Sequence, residues 1–277
     1  TKHISENTLN KYKTEPWNSS QIGFGLSDEK INVKKYQTAI GELLYAVQTR
    51  PEINPMLAYL STRQIDPRKD DFEKVIRLIL YLKNTHDEGI TFQAPQLHKE
   101  NGKPFLHSTC DSSYKLAEGY GFTGFTISLG YNSAPFATVS KRQHLVTNSS
   151  AEAEMVGYNM ATAMIVWLRN CMTFIFRVKQ LPTTYIEGDS LSGIKAIQKE
   201  AISNNLRHVH PREMYCRAMF QDEIIRILKV TTDKLLADTL TKLLPNKKFQ
   251  IYKMRLLNLG GVDHSREMEF VIADGIG

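Results

Sequence analysis

The chain has 277 residues, of which 42% are hydrophobic and 23% are charged, a composition typical of a soluble globular protein with one large or two small domains. Its three cysteines are far apart, which argues against a zinc site or a disulfide framework and fits a reducing, intracellular setting. No apolar run approaches the roughly 18 residues of a membrane span, so no membrane association is expected. The net charge of +6 fits a polyanionic partner such as nucleic acid, although many unrelated proteins share such a surplus.

The first third of the chain predicts a lead-in followed by a small helical unit. Residues 1–35 are polar and aperiodic, and we expect them to be extended. Within residues 36–103, three segments have apolar residues at helical spacing, and "DEGITFQ" predicts a strand. Asp70 or Asp71 could cap the third helix, "PRKDDFEKVIRLILYLKNT". The predicted buried side of this helix holds Phe72, Val75, Ile76, Ile79, Leu80 and Leu82.

From about residue 104 the pattern changes to that of a sheet. Three segments rich in β-branched and aromatic residues, separated by short turns, predict an antiparallel meander. Asn148 or Ser149 can then cap a long helix, whose apolar residues cover so wide an arc that we expect it to be sandwiched between layers. Its apolar faces hold Ala161, Ile165, Leu168, Met172 and Ile175, and beside them Met164, Trp167, Cys171 and Phe174.

Two more strands and three helices complete a domain predicted over residues 104–246. The fourth strand, "TTYIEGD", follows the long helix, which indicates a crossover to a parallel neighbour. After the helices "SLSGIKAIQK" and "PREMYCRAMFQDEIIRI" come a fifth strand, "LKVTTD", and a last helix, "KLLADTLTKLL", which ends at Pro245. The predicted class is therefore α/β, with a five-stranded mixed sheet flanked by helices, and residues 247–277 are predicted to form a C-terminal tail.

Four acidic residues lie at strand ends or near helix starts, where α/β sheets tend to place active groups: Asp111, Glu154, Asp189 and Asp238. Converging carboxylates repel one another unless a cation lies among them, and Mg²⁺ prefers oxygen ligands. Two such ions, about 3.5–4 Å apart, can stabilise the attacking and the leaving oxygen in phosphodiester hydrolysis. Any one of the four, taken alone, would more often be a solvated surface group or a helix cap.

Several ordered motifs over residues 36–250 resemble the Pol polyproteins of copia-type LTR retrotransposons. The stretch "GFTGFTISLGYNSAPFATVSKRQHLVTNSSAEAEM", with "GDSLSGIKAI", "RHVHPREMYCRAM" and "LLADTLTKLLP", resembles their RNase H domain. Upstream, "YQTAIGELLYAVQTRPEI" and "ILYLKNTHDEGITF" are similar to the segment that connects the reverse transcriptase to RNase H. The resemblance implies an RNase H-like fold preceded by a small helical connection segment.

The resemblance also implies that Asp111, Glu154, Asp189 and Asp238 hold two Mg²⁺ ions, for which Mn²⁺ could substitute, and hydrolyse the RNA strand of an RNA–DNA hybrid. The family's helix motif is matched by "AEMVG", which selects Glu154 over Glu152. Residues two apart on a helix also point about 200° apart, so Glu152 is expected to face outward near the helix N-terminus. The motif "ADTLTK" selects Asp238 over Asp233, which we expect in the preceding turn, where it could cap the last helix.

Further residues are implied at the nucleic-acid surface. His208 or His210 could assist product release or proton transfer, and a plain surface position is an equally open reading of each. Recognition would use helix shape, 2′-OH groups and phosphates, with little reading of sequence. The expected phosphate contacts, for which a solvated basic face is the alternative, are Lys141, Arg142, Arg207 and Arg212.

Three functions stay open at this point. The first is an RNase H nuclease that acts on RNA–DNA hybrid, follows a polymerase domain in the same polyprotein, and works in a cytoplasmic virus-like particle or the nucleus. The second is a domesticated or inactive module that binds nucleic acid or a protein partner without cleavage, for which departures such as Ala151, in place of a usual Thr, leave room. The third, a DNA-directed or integrase-like nuclease, fits less well, because the "SLSG" after Asp189 does not follow the D-D-E arrangement of those enzymes.

Overall fold

The structure is a computed structural model, which describes residues 16, 17, 25, 27–94, 96–98, 101–114, 120–131, 133–198 and 215–259. Within these ranges, no helix combines the length and the apolar character needed to cross a bilayer.

The helical unit forms where the apolar spacing predicts it. Asn32 begins the first helix, since its side chain accepts a hydrogen bond from the backbone N–H of Lys35 at 3.0 Å. Asp71 supports the start of the third helix by accepting the N–H of Arg68 at 3.0 Å, so it acts from inside the first turn. The elements are α1 (Val33–Ala46), a 3₁₀ turn (Pro51–Ile53), α2 (Asn54–Ser61) and α3 (Lys69–Asn84).

The buried face of α3 differs in part from the predicted one. Val75, Leu78 and Tyr81 form the fully buried stripe, at the spacing of one helix face. Ile76 and Ile79, predicted to be buried, are exposed because they lie outside that stripe. The helix therefore packs on one side only.

Five strands form one mixed sheet in the order β3-β2-β1-β4-β5. The first three strands are an antiparallel meander, and β4 and β5 run parallel to β1. The crossover from β3 to β4 is the long helix α4 (Ser150–Phe176). The strands are β1 (Leu106–Ser113), β2 (Phe122–Leu129), β3 (Pro135–Arg142), β4 (Thr184–Gly188) and β5 (Ile225–Lys229).

The helices after the meander are α4 (Ser150–Phe176), α5 (Leu191–Gln198), α6 (Tyr215–Gln221), α7 (Asp238–Thr241) and α8 (Asn246–Leu257). The apolar sides of α4, α5 and the sheet share one core. The predicted α/β class is thus confirmed, including the five-stranded mixed sheet flanked by helices and the helical segment before it.

Two predicted elements are wrong, and the bounds of two others are shifted, because β5 begins at Ile225, inside the helix predicted over "PREMYCRAMFQDEIIRI" and three residues before the predicted strand "LKVTTD". The segment "DEGITFQ" is not a strand, because its backbone bonds to the end of α8: the Thr91 N–H donates to the Leu257 carbonyl at 2.8 Å. The last helix predicted before Pro245 is only the single turn α7, since the residues before it form turns. Pro245 begins α8 and does not end the fold, so the segment predicted as a tail starts with a helix of 12 residues.

Residues from both ends of the chain complete the core of the helical unit. The Trp17 indole Nε1 donates to the Leu244 carbonyl at 2.8 Å, and its ring meets Phe249 edge-on with centroids 4.7 Å apart. Lys253 of α8 binds both carboxylate oxygens of Glu88 at 2.9 Å. Trp17 is therefore a core residue of the helical unit, although it belongs to the segment predicted to be an extended lead-in. The division into segments 1–35, 36–103, 104–246 and 247–277 stays a prediction.

The second half of α4 is more exposed than predicted. Ala161, Ile165 and Met172 are buried, but Trp167 is 60% exposed and Phe174 is 86% exposed. With 27 residues, α4 is about 40 Å long, whereas the eight residues of β1 span about 26 Å. The last turns of α4 therefore extend beyond the sheet, and no second layer covers them among the described residues.

The two tryptophans of the chain give a matched test of this packing. We expect Trp17→Ala to lower the free energy of unfolding by about 3–5 kcal/mol, because it empties a core position and removes a hydrogen bond to Leu244. Trp167→Ala, at an exposed position, should change it by no more than about 0.5 kcal/mol. Urea denaturation followed by far-UV circular dichroism measures both values. Equal losses in the two variants would contradict the packing of Trp17.

Candidate metal centre

Asp111 lies on β1 and is 2% exposed. Side chains alternate along a strand, so Cys110 and Ser112 face α4 while Asp111 points to the other side of the sheet, towards α7. There the Thr241 hydroxyl donates to Asp111 Oδ2, and Lys242 Nζ lies 3.8 Å from the same oxygen. Burial raises the pKa of Asp111, and the Lys242 charge opposes that rise only in part.

Glu154 lies in the second turn of α4 and is 5% exposed. The backbone of Ser112 binds its carboxyl group, but Oε2 is buried without a hydrogen-bond partner. Burial, followed by the charges of Asp111 and Asp189, raises the pKa of Glu154 from 4.5 to about 9. An unpartnered buried carboxylate oxygen is costly unless a proton or a cation satisfies it.

A glycine on α4 permits this placement of Glu154. A Cβ atom at Gly157 would lie 2.2 Å from Ser112 Oγ, so a larger residue there would require the Ser112 side chain or the helix to shift. The close approach brings the first turns of α4 to the end of β1, where Asp111 lies. The position of Glu154 is therefore set by helix–strand packing.

Glu152 starts the helix instead of facing outward. Ser149 is the N-cap, and its hydroxyl accepts the Glu152 N–H at 3.2 Å. In return, Glu152 Oε2 accepts the Asn148 N–H at 2.7 Å. The outward orientation predicted for Glu152 is wrong, because this reciprocal capping folds its side chain back over the helix N-terminus and buries it.

Asp189 follows β4, whose parallel neighbour is β1. The Thr232 hydroxyl donates to Asp189 Oδ2 at 2.7 Å. Carboxylate oxygens of Asp111, Glu154 and Asp189 all lie within 4.8 Å of one another. Three hard oxygen donors at this separation, one of them without a partner, fit a divalent cation such as Mg²⁺.

Asp238, the fourth predicted carboxylate, lies beside this group and is not part of it. It is 1% exposed, and both of its oxygens are paired with ammonium groups. Lys242 Nζ binds Oδ1, and Lys248 Nζ lies 3.4 Å from Oδ2. Asp233 is exposed in the turn before α7 and does not cap that helix, whose N-cap is Ala237.

The predicted phosphate contacts are only partly described. Lys141 and Arg142 end β3, where Lys141 is exposed and the Arg142 guanidinium lies 4.6 Å from the centre of the Tyr120 ring. The predicted residues outside the described ranges are Arg207, His208, His210 and Arg212.

The predicted site did not include the cations and hydroxyls that contact the carboxylates, which are Lys242, Lys248, Thr232 and Thr241. Lys242 carried a usable signal, since it follows Asp238 by four residues, the spacing of a helical ion pair. Thr241 and Thr232 carried no such signal, because their contacts span 130 and 43 residues of sequence.

Curated relatives extend over most of this chain. The Retrovirus-related Pol polyprotein from transposon TNT 1-94 of Nicotiana tabacum is 28% identical over 236 residues, which is 82% of this chain and 17% of the relative. The chain is homologous to retrotransposon Pol polyproteins. Those from transposons RE2 and RE1 of Arabidopsis thaliana are each 26% identical over 225 residues, or 80% of this chain and 15% of each relative. The chain thus spans less than a fifth of the length of these relatives, and no family model matches it.

Solved structures of RNases H are similar to part of the chain. RNase H1 from Halobacterium salinarum is 15% identical, with a TM-score of 0.34 over 49% of this chain and 92% of that one. The N-terminal RNase H domain of a Mycobacterium tuberculosis protein is 13% identical, with a TM-score of 0.38 over 54% and 96%.

The raised pKa of Glu154 predicts how pH acts on the ion-free protein. Since the folded state holds this proton more tightly than the unfolded chain does, the stability it contributes is fully present below about pH 4.5 and is lost as the pH rises towards 9. Glu154→Gln removes the titration. In EDTA, raising the pH from 4.5 to 9 should therefore lower the free energy of unfolding of the wild type relative to that of the variant. A pH-independent difference would contradict the buried, unpartnered state of Glu154.

Proposed function

We propose that the chain is a ribonuclease H that hydrolyses the RNA strand of RNA–DNA hybrids during retrotransposon reverse transcription. The carrying observation is the convergence of Asp111, Glu154 and Asp189, the first two of them buried, at one edge of an RNase H-like sheet, with one carboxylate oxygen of Glu154 left without a partner. Homology to retrotransposon Pol polyproteins supports the same function. The reaction, the hybrid substrate and the ions belong to this proposal.

The group would hold divalent metal ions. Asp111, Glu154 and Asp189 would bind the first Mg²⁺, and Asp111 with Asp238 would bind a second, with Mn²⁺ as a substitute for either. When bound, such ions activate water and stabilise the charge on the leaving 3′ oxygen of a phosphodiester. Soft or nitrogen ligands are absent from the group, which favours Mg²⁺ or Mn²⁺ over zinc.

The chain's own residues supply orientation. Thr241 and Thr232 donate hydrogen bonds that fix the carboxyl groups of Asp111 and Asp189. Burial of Glu154 excludes water from one side of the site, which strengthens the electrostatic interactions within it. Pre-oriented ligands of this kind reduce the reorganisation that the reaction would otherwise require.

Positive side chains would bind the nucleic-acid backbone. Lys141 and Arg142 lie together at the end of β3, and stacking on Tyr120 restricts the guanidinium of Arg142. We propose contacts to phosphates for both, with Arg207 and Arg212 as further phosphate contacts and His208 or His210 as an aid to product release. We also propose that a polymerase domain precedes this chain in the same polyprotein, and that the protein works in a cytoplasmic virus-like particle or in the nucleus.

The direct test uses a labelled RNA–DNA hybrid with Mg²⁺ or Mn²⁺. We expect the wild type to cleave the RNA strand. Glu154→Gln and Asp189→Asn should each reduce the cleavage rate by more than about 100-fold, because loss of a residue that only supports a metal ligand usually costs up to about 100-fold and these two residues would bind the metal directly. Glu152→Gln is the matched control, with the same chemical change two residues away. It should retain most activity, because a glutamine oxygen can still accept the Asn148 N–H.

Cleavage that persists in both Glu154→Gln and Asp189→Asn would refute the assigned site. Binding of the hybrid without cleavage by the wild type would favour the alternative function, a domesticated or inactive module that binds nucleic acid or a protein partner. Melting curves of all variants establish that each is folded.

A further inference from the structure

Lys242 occupies a position between two carboxylates of the site. Its Nζ binds Asp238 Oδ1 and lies 3.8 Å from Asp111 Oδ2. Lys248 Nζ lies 3.4 Å from Asp238 Oδ2, so each oxygen of Asp238 faces an ammonium group. The gap between Asp111 and Asp238 is therefore already filled by a positive charge.

The surrounding structure fixes the backbone that carries Lys242. α7 is pressed against β2, because a Cβ atom at Gly124 would lie 2.6 Å from Leu240 Cβ. Ser140 Oγ of β3 donates to the Leu240 carbonyl at 2.6 Å. Lys242 follows directly after this single anchored turn, so its backbone position is set by the sheet.

Lys242 and Lys248 are not equivalent. Lys242 lies near both Asp111 and Asp238, whereas Lys248 lies near Asp238 and over the ring of Tyr252. A divalent ion shared by Asp111 and Asp238 would lie next to the Lys242 ammonium, and like charges at that separation repel strongly inside a protein. Such an ion and Lys242 thus compete for one place, while Lys248 lies to its side.

We propose that Lys242 acts as a resident cation in the second metal position. The protein without nucleic acid then binds one divalent ion, on Asp111, Glu154 and Asp189, and a second ion enters only when Lys242 leaves Asp238. Lys242 is a positioning residue here: its charge sets how many ions the site accepts. This inference rests on the proposed metal-dependent function.

Counting bound Mn²⁺ by electron paramagnetic resonance of the free ion tests the inference without any substrate. The wild type should bind one ion, and Lys242→Met should bind two, a doubling of the stoichiometry. Lys242→Arg keeps the charge and should bind one. Lys248→Met is the matched control, and it should also bind one, because Lys242 is still in place.

A double variant separates a specific effect from a general one. Adding Asp238→Asn to Lys242→Met should return the count from two ions to one, since the second ion requires the Asp238 carboxylate. Two ions in the wild type, or one ion in a folded Lys242→Met, would overturn the role of Lys242. Far-UV circular dichroism establishes the folded state of each variant.

The outcome is distinguishable from a failure of the proposed nuclease activity. A doubled count in Lys242→Met with no cleavage of hybrid by the wild type would support the role of Lys242 and refute the nuclease. A wild type that binds two ions before substrate is added, and that cleaves the hybrid, would support the nuclease and refute the role of Lys242. A wild type that binds no ion would overturn both.

Discussion

Repulsion among three converging carboxylates is the constraint on which the centre of this molecule depends. Asp111, Glu154 and Asp189 share a volume less than 5 Å across, and two of them are almost fully buried. Burial raises the pKa of both buried groups, so the ion-free site carries less charge than its composition suggests. A divalent cation removes the same conflict by neutralising the carboxylates in their ionised form. The site is thus costly to build without a cation and favourable with one.

The fold brings these groups together through backbone packing. Parallel pairing of β1 with β4 places Asp111 and Asp189 at one edge of the sheet, and Gly157 lets α4 bring Glu154 to the same edge. α7 closes the other side, with Thr241 bound to Asp111. Beyond α7, α8 packs into the helical unit through Phe249 and Lys253. The segment that holds Lys242 is therefore anchored at both ends, by the sheet and by the helical unit.

Hydrophobic periodicity was enough to predict the helices and strands that pack against elements close to them in sequence. Motif spacing was enough to predict that Asp111, Glu154 and Asp189 converge. They failed where distant residues decide the outcome. Trp17 is a single apolar residue in a polar stretch, and only its partners Leu244 and Phe249, more than 220 residues away, make it part of a core. The same holds for the exposed end of α4, since its apolar pattern does not reveal that the helix is longer than the sheet. Asp238 matches its motif, but its ion pairs with Lys242 and Lys248 set it apart from the other three carboxylates. Those pairs depend on the positions of the two lysine side chains around α7, which the motif does not specify.

The most direct test of a cation site on Asp111, Glu154 and Asp189 is a crystal of the wild type grown with Mn²⁺, with diffraction data collected near the manganese absorption edge. We expect an anomalous peak among the carboxylate oxygens of these three residues, with Glu154 Oε2 as one of the ligands. No peak at this position in crystals that contain Mn²⁺, or a peak with Glu154 turned away from it, would contradict the account.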